Sequence, residues 1–236
     1  MIFVVDAAKR RHFAADLAAM HCQRKVVFVD RAEWKVPVIG DQEIDRYDLL
    51  HDTVYLLAKE RPDGPVLASA RLLATTGPHL MRDLFSAAYR AGLPTGPTVW
   101  EVSRFCTAPE FGGRSKRLGL LWEIICGVME AALRHGIGQV IFAANRALLP
   151  LALECGWEAR MVGPTMSDGR DEITAVVAAI TPDGLRRVRQ RHGVPEPAIR
   201  LRLDITSGEF PRTGATTTER NRVLPRLDAA GHASAP

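Results

Sequence analysis

The sequence predicts an α/β fold in which one mixed sheet carries helices on both faces, as an α-β-α sandwich. The first observation is an early hairpin: residues 53–59 and 66–73 are rich in β-forming residues and flank a Pro-Asp-Gly turn at 62–64. The second is an alternation of strand and helix patterns between residues 99 and 191. Hairpin strands followed by alternating strands and helices are typical of a single sheet covered by helices.

Each remaining element has its own signal. Phe13, Leu17 and Met20 recur at helical spacing, and residues 24–31 extend that helix by a short turn. The longest helix ends at Gly136, a residue suited to a C-terminal cap. Residues 32–50 are predicted to be irregular. The predicted strands are 3–5, 53–59, 66–73, 99–107, 139–144 and 173–180, and the predicted helices are 9–23, 24–31, 80–89, 115–136, 148–154 and 182–191.

The length and composition favour one globular domain. The chain has 236 residues, 47% of them hydrophobic, which is enough for a substantial core. We expect this domain to span 1–206, because residues 207–236 are rich in Thr, Arg, Pro, Ala and Gly and predict a disordered tail. No apolar run approaches the roughly 20 residues that cross a bilayer. The N-terminal residues form no signal-peptide core, so we expect a cytoplasmic protein without membrane attachment.

Charge and cysteine usage argue against several other classes. The net charge of +4 can attract nucleic acid, and a basic nucleic-acid-binding module is one alternative. However, no helix combines a clustered basic face with aromatic stacking partners, so we expect no nucleic-acid partner. The four cysteines and seven histidines lack CxxC, HxxxH and HExxH spacings, which predicts reduced thiols and no metal site.

Four segments place polar residues beside aromatic or apolar runs. They are 24–34, 43–48, 70–78 and 100–105. Each segment alone also fits a structural role, such as a turn cap or an ordinary ion pair. Arg71 is harder to explain in this way, because it interrupts an apolar strand, where an unpaired charge would be strongly unfavourable. Glu101, Ser103 and Arg104 interrupt another strand, and polar groups placed in this way often converge on one pocket.

Eight residues of these segments occur in a characteristic order. They are Arg24, Phe28, Trp34, Asp45, Asp48, Arg71, Glu101 and Arg104. Three longer motifs surround them: Glu-Ile-Asp-Arg-Tyr-Asp at 43–48, Arg-Leu-Leu-Ala-Thr-Thr-Gly-Pro at 71–78, and Trp-Glu-Val-Ser-Arg-Phe at 100–105. This set resembles the autoinducer (acyl-homoserine-lactone) synthases of the LuxI type, from the N-terminus to about residue 180. Several motifs in one order are more specific than a single short pattern.

The resemblance implies a fold similar to that of GNAT acetyltransferases and a reaction with two substrates. The amine of S-adenosylmethionine attacks an acyl thioester, carried either by acyl carrier protein or by coenzyme A. The substrate carboxylate then displaces methylthioadenosine and closes the lactone, a quorum-sensing signal. S-adenosylmethionine is a substrate in this scheme, and no cofactor is expected.

This chemistry suggests roles for the matching residues. An ammonium cannot attack a carbonyl, so a base must remove its proton, and Glu101 is the candidate. Ser103 and Arg104 complete the expected catalytic group. Arginines can orient the substrate carboxylate, acids can hold its amine or sulfonium, and aromatic rings can cover the sulfonium or the adenine. The expected S-adenosylmethionine contacts are Arg24, Phe28, Trp34, Asp45, Asp48, Arg71 and Phe105.

The proposed grouping makes a demand on strand geometry. Strict alternation places Glu101, Ser103 and Phe105 on one face of the strand and Arg104 on the other. If Glu101 and Arg104 serve one site, the strand must contain a bulge or part from its neighbour at this point. The resemblance to GNAT-like folds implies both features, and a flat, regular strand would contradict the grouping.

A Gly-Gly turn at 112–113 precedes the longest helix and suits the phosphate of a pantetheine arm. Arg114, Lys116 and Arg117 are the expected contacts to that arm or to an acidic carrier protein, although a solvated helix start fits almost as well. A GNAT-type N-acyltransferase that uses acyl-CoA and another amine would share this turn. It would not need the aromatic and acidic residues of the first 50 positions, so we rank it second.

Overall fold

Nine strands and five α-helices are present in the computed structural model, which describes residues 1–85, 87, 90–167 and 171–199. The strands are β1 (Ile2–Val5), β2 (Val38–Ile39), β3 (Gln42–Glu43), β4 (Val54–Ala58), β5 (Ala68–Ala74), β6 (Val99–Thr107), β7 (Gln139–Asn145), β8 (Glu158–Ser167) and β9 (Glu172–Ala179). Seven of them form one sheet in the order β1-β4-β5-β6-β7-β9-β8, and β2 pairs with β3. Among the described strands of this sheet, β6 and β7 pair in parallel and the other neighbours are antiparallel.

Helices cover both faces of the sheet. They are α1 (Ala14–Arg24), α2 (Leu80–Leu84), α3 (Arg114–Arg134), α4 (Leu149–Glu154) and α5 (Pro182–His192), with a 3₁₀ helix at Ala7–Lys9 and a π-helix at Lys25–Arg31. On one face, Met129 of α3 packs in a core with Leu56 of β4. On the other, Met20 of α1 packs with Leu57, and Met81 of α2 packs with Ile141. The predicted α-β-α sandwich is therefore confirmed.

Strand β6 contains a bulge at Arg104. Ser69 pairs with Cys106 and Arg71 with Ser103, so one residue of β5, Ala70, lies opposite two of β6. The φ angle of Arg104 is 53°, in the left-handed region, which costs a non-glycine residue about 1–2 kcal/mol. The extra residue turns Arg104 to the face that carries Ser103. The predicted break in alternation is confirmed.

Strands β6 and β7 also separate next to this bulge. Their parallel pairing covers only residues 99–101 of β6 and 139–141 of β7. Beyond that point, β6 remains bonded to β5 as far as Thr107, and β7 remains bonded to β9 as far as Asn145. A gap therefore opens in the sheet immediately after Glu101, as the resemblance implied.

Several predicted boundaries need correction. β8 was not predicted, because this edge strand is largely exposed and lacks the alternating apolar residues that identify a half-buried strand. The β2–β3 hairpin lies within the stretch predicted to be irregular. The first helix begins at Ala14 rather than at residue 9, and α2 ends at Leu84. Residues 86, 88 and 89 of the predicted helix, and the predicted tail at 207–236, lie outside the described residues.

A candidate active site of paired arginines and carboxylates

Three arginines and three carboxylates form a buried cluster on the sheet face that α1 and α2 cover. They are Arg24, Arg71, Arg104, Glu43, Asp45 and Asp48. The arginines come from α1, β5 and the β6 bulge, and the acids come from β3 and the loop after it. A buried charge is unfavourable unless it is paired. Here the formal charges balance, which explains how these residues can lie together in the protein interior.

Arg24 is fully buried, and its guanidinium is used entirely within the protein. Nε donates to Glu43 Oε2 at 2.5 Å, while Nη1 and Nη2 donate to the two carboxylate oxygens of Asp48 at 2.9 and 2.8 Å. This bidentate geometry is the strongest that an arginine makes with a carboxylate. The arrangement argues against the expected contact between Arg24 and the substrate carboxylate. Instead, Arg24 attaches residues 43–48, which we call the acidic loop, to α1.

Arg71 is also fully buried, but one of its nitrogens is free. Nη1 donates to Asp45 at 2.6 Å and lies 3.0 Å from Asp48, and Nε donates to the Ser103 hydroxyl at 3.1 Å. Within the described part of the chain, Nη2 is buried and has no hydrogen-bond partner. An unmade hydrogen bond of this kind costs about 1–3 kcal/mol, so Nη2 is the natural donor for a bound ligand.

Arg104 connects the carboxylates to the aromatic residues. Its Nε and Nη2 donate to Glu43 at 3.1 and 2.9 Å, and Nη2 also donates to Asp45 at 2.9 Å. The guanidinium carbon lies 5.7 Å from the centre of the Phe28 ring, a cation–π contact. Trp34 stacks on Phe28, with ring centres 4.8 Å apart and planes within 9°. The structure thus brings the predicted aromatic pair to the cluster, with Trp34 40% exposed.

Asp48 remains ionised in this environment. Burial alone would raise the pKa of Asp48, but hydrogen bonds from Arg24 and the charge of Arg71 outweigh it and hold that pKa well below its ordinary value. The Asp45 amide and the Tyr55 hydroxyl also donate to Asp48, each at 2.9 Å. Asp45 and Asp48 therefore lie in the cluster with their charges already neutralised by arginines, and their contact with S-adenosylmethionine stays a prediction.

Sequence reasoning missed Glu43 and Tyr47. Glu43 is fully buried and accepts hydrogen bonds from both Arg24 and Arg104, and the Tyr47 ring lies 5.3 Å from the guanidinium carbon of Arg71. Both residues belong to the motif at 43–48 that carried the resemblance. The available signal was the i, i+2 spacing of Glu43 and Asp45, which puts two carboxylates on one side of an extended segment.

Glu101 lies at the point where β6 and β7 separate. Its Oε2 accepts the backbone N–H of Met81 at 2.6 Å. Its Oε1 is buried and unpartnered among the residues that the structure describes. Burial raises the pKa of Glu101 to about 7, against the opposing effects of the Met81 N–H and the Arg71 charge. A carboxylate with this pKa can accept a proton near neutral pH, as a general base must.

The remaining predicted site residues fall into two groups. Ser103 lies at the cluster and accepts from Arg71, but Phe105 does not reach it, because the bulge turns that ring into the core beneath α3. The basic residues Arg114, Lys116 and Arg117 lie in the exposed first turn of α3. The structure shows no contact that assigns them a function. Over the described ranges, no group of three or more His, Cys, Asp or Glu side chains could hold a metal ion.

Comparisons with known proteins identify the family of this chain. The family model described as autoinducer synthase matches residues 8–188. Relatives include the acyl-homoserine-lactone synthases of Rhizobium etli, 32% identical over 70% of this chain and 78% of the relative, and of Ralstonia solanacearum, 34% identical over 67% and 79%. BjaI, a CoA-dependent acyl-homoserine lactone synthase solved with SAM and isopentyl-CoA, matches with a TM-score of 0.74 and 28% identity, over 85% of this chain and 92% of BjaI.

The fold is shared more widely. An acyl-CoA N-acyltransferase from Pseudomonas aeruginosa matches with a TM-score of 0.53 and 18% identity, over 75% of this chain and 97% of that one. This likeness shows a GNAT-like fold, and the family match together with the named relatives shows that the protein is an acyltransferase. The family match extends over well more than half of the chain, and the chain belongs to the autoinducer synthase family. No helix among the described residues has the length and apolar character needed to span a membrane.

Proposed function

We propose that this autoinducer synthase transfers an acyl group from a thioester to the amine of S-adenosylmethionine and closes an acyl-homoserine lactone, with release of methylthioadenosine. One observation carries the proposal: Arg71 Nη2 and Glu101 Oε1, a buried donor and a buried acceptor, both lack partners within the described residues and belong to the same polar face. Structures of related synthases support it, since BjaI was solved with SAM and isopentyl-CoA and TofI with MTA and an inhibitor.

The acylation step requires a neutral amine. Glu101 removes one proton from the substrate ammonium, directly or through a water, and its pKa of about 7 suits this transfer at neutral pH. The free amine then attacks the thioester carbonyl. A nitrogen–carbon bond forms, the carbon–sulfur bond breaks, and the carrier thiol leaves with a proton. The gap between β6 and β7, immediately after Glu101, gives the acyl chain a path to this amine.

The lactonisation step requires an oriented carboxylate. Arg71 Nη2 hydrogen-bonds the substrate carboxylate, whose oxygen attacks the γ carbon while the sulfonium leaves as methylthioadenosine. The exposed face of Trp34, backed by Phe28, covers the sulfonium or the adenine. Asp45 and Asp48 act mainly by holding Arg71 in place. S-adenosylmethionine is consumed as a substrate, so the reaction needs no cofactor.

The acyl donor is carried by acyl carrier protein or by coenzyme A. Both carriers end in phosphopantetheine, and the exposed amides and basic side chains at the start of α3 suit its phosphate. In this role Arg114, Lys116 and Arg117 contact the arm of either carrier, or the acidic surface of the carrier protein. The two donors differ in the contacts outside the arm, so the same acyl group should be tested on both carriers.

The test is a product assay with purified protein. The protein is incubated with S-adenosylmethionine and matched acyl-CoA and acyl carrier protein donors, and methylthioadenosine and lactone are measured together. We expect the two products in equal amounts, and Glu101→Gln provides the matched inactive control. Acylation of another amine without methylthioadenosine would instead support the GNAT-type N-acyltransferase, and a salt-sensitive shift on DNA without acyl transfer would support the nucleic-acid-binding alternative.

A further inference from the structure

A hydrogen bond joins the acidic loop to helix α2 outside the arginine cluster. The Tyr47 hydroxyl donates to Asp83 Oδ2 at 2.5 Å, and Arg46 contacts the same oxygen from the solvent side. Tyr47 is buried, whereas the side chain of Asp83 is 30% exposed. Neither the acylation step nor the lactonisation step uses this bond.

Tyr47 is fixed on the side of the loop as well. Its backbone N–H donates to Asp45 at 2.9 Å, its carbonyl accepts from the Thr53 hydroxyl, and its ring lies over Arg71. The Tyr47 ring is therefore held in one unit with Asp45 and with Arg71, the arginine that faces the substrate. Through its hydroxyl, this unit reaches α2.

Helix α2 depends on tertiary contacts for its position. It has only five residues and lacks a side-chain N-cap, so local structure contributes little to its stability. Met81 and Phe85 pack into the core near Val99, and Asp83 is attached to Tyr47. The Met81 N–H, one of the unpaired amides of the first turn, donates to Glu101. A shift of α2 therefore moves the backbone hydrogen bond that holds Glu101 Oε2.

We propose that Tyr47 and Asp83 form a latch that holds α2 against the acidic loop and thereby keeps the Glu101 carboxylate in position for proton transfer. The inference rests on the proposed function of Glu101 as base. Tyr47 and Asp83 are positioning residues, since they act on Glu101 through Met81. The latch thereby fixes the distance between Arg71, which orients the substrate carboxylate, and Glu101, which removes the proton from the substrate amine.

Tyr47→Phe tests the latch with a minimal change, because it removes the hydroxyl and keeps the ring over Arg71. We expect kcat to fall about tenfold while the KM for S-adenosylmethionine stays within about twofold, since the substrate contacts are unchanged. A looser Met81 N–H bond also removes a contribution that lowers the pKa of Glu101. The acidic limb of the kcat profile should therefore move to higher pH. The charges acting on Glu101, from Arg71 in β5 and Arg104 in β6, are retained in this variant.

Variants of Asp83 separate the latch from general damage to the fold. Asp83→Ala should reproduce the loss of kcat, while Asp83→Asn should restore most of it, because an amide oxygen still accepts from Tyr47. The double variant Tyr47→Phe with Asp83→Ala should be no worse than Asp83→Ala alone, since Asp83→Ala already removes the acceptor of the Tyr47 hydroxyl together with the Arg46 contact. Leu84→Ala changes an exposed residue of the same helix and should leave activity unchanged.

The outcomes distinguish the latch from the proposed function. If the wild-type protein releases methylthioadenosine but Tyr47→Phe has the kcat and the pH profile of the wild type, the latch is wrong and the proposed function stands. The latch is also wrong if Asp83→Asn loses as much kcat as Asp83→Ala and both variants have a raised KM for S-adenosylmethionine. Asp83 would then support the fold or the substrate contacts. If the wild-type protein releases no methylthioadenosine with either donor, the proposed function fails first.

Discussion

Arg24→Met tests whether the cluster supports the fold or binds substrate. The substitution removes one of three buried cations and, with it, the hydrogen bonds from Nε to Glu43 and from Nη1 and Nη2 to Asp48. Methionine is similar in length and has a good helix propensity, so it keeps α1 intact. We expect a large loss of stability, with substrate affinity preserved in the protein that remains folded.

The magnitude follows from the partners that stay behind. Asp48 keeps Arg71, the Tyr55 hydroxyl and a backbone amide, and Glu43 keeps Arg104. Removing one partner of a buried ion pair costs about 3–5 kcal/mol, and these contacts favour the lower value, about 3 kcal/mol. For a chain of this size each kcal/mol lowers Tm by about 2–4 °C, so Tm should fall by roughly 10 °C.

The assay is thermal unfolding, together with titration of S-adenosylmethionine at a temperature where the variant is folded. Arg31→Met is the matched control, because Arg31 makes a surface pair with the exposed Glu110, and such pairs contribute about 0–1 kcal/mol. An unchanged Tm combined with a hundredfold loss of S-adenosylmethionine affinity would show that Arg24 is a substrate ligand and not a structural residue.

The pH dependence of the same variant gives a second check. The pKa of Asp48 is lowered in the folded protein, so its ionised form contributes stability above the unfolded pKa, and this contribution is lost as pH falls toward the folded value. Without Arg24 the pKa of Asp48 is lowered less. The difference in unfolding free energy between wild type and Arg24→Met should therefore be largest at neutral pH and shrink below about pH 4. A difference independent of pH would contradict the assignment.

Three further predictions concern the reaction. Glu101→Gln should keep S-adenosylmethionine binding and lose about 10²–10⁴-fold in acylation rate. Wild-type turnover should fall about tenfold per pH unit below about pH 7, because Glu101 becomes protonated there. Normal turnover of the variant at saturating substrate would exclude Glu101 as the base. Arg71→Lys keeps the charge but removes Nη2, so calorimetry should show about tenfold weaker S-adenosylmethionine binding, and unchanged affinity would exclude that donor. Combined Ala substitution of Arg114, Lys116 and Arg117 should raise the KM for the acyl donor several-fold and leave the KM for S-adenosylmethionine unchanged. An equal effect on both KM values would exclude a donor-specific role for these residues.

Most of the elements and the family follow from the sequence. The hairpin at 53–73, the strand at 99–107 and the long helix after it follow from residue periodicity and turn chemistry, which are local properties of the chain. The motifs at 43–48, 71–78 and 100–105 were sufficient for the family, because each functional side chain occurs in a fixed local context. The exposed strand β8 was missed, since it buries too few side chains to leave a pattern.

Only the tertiary structure decided how the predicted residues are used. The left-handed conformation of Arg104 reverses the expected face of Phe105, and no sequence pattern marks a bulge at an arginine. The sequence does not distinguish Arg24 from Arg71. In the structure all three nitrogens of the Arg24 guanidinium donate to carboxylates, whereas Arg71 Nη2 has no hydrogen-bond partner among the described residues. The backbone bond from Met81 to Glu101 is invisible in any side-chain motif. These features depend on distances between segments that are remote in the chain. Burial and charge pairing set those distances only once the sheet has formed.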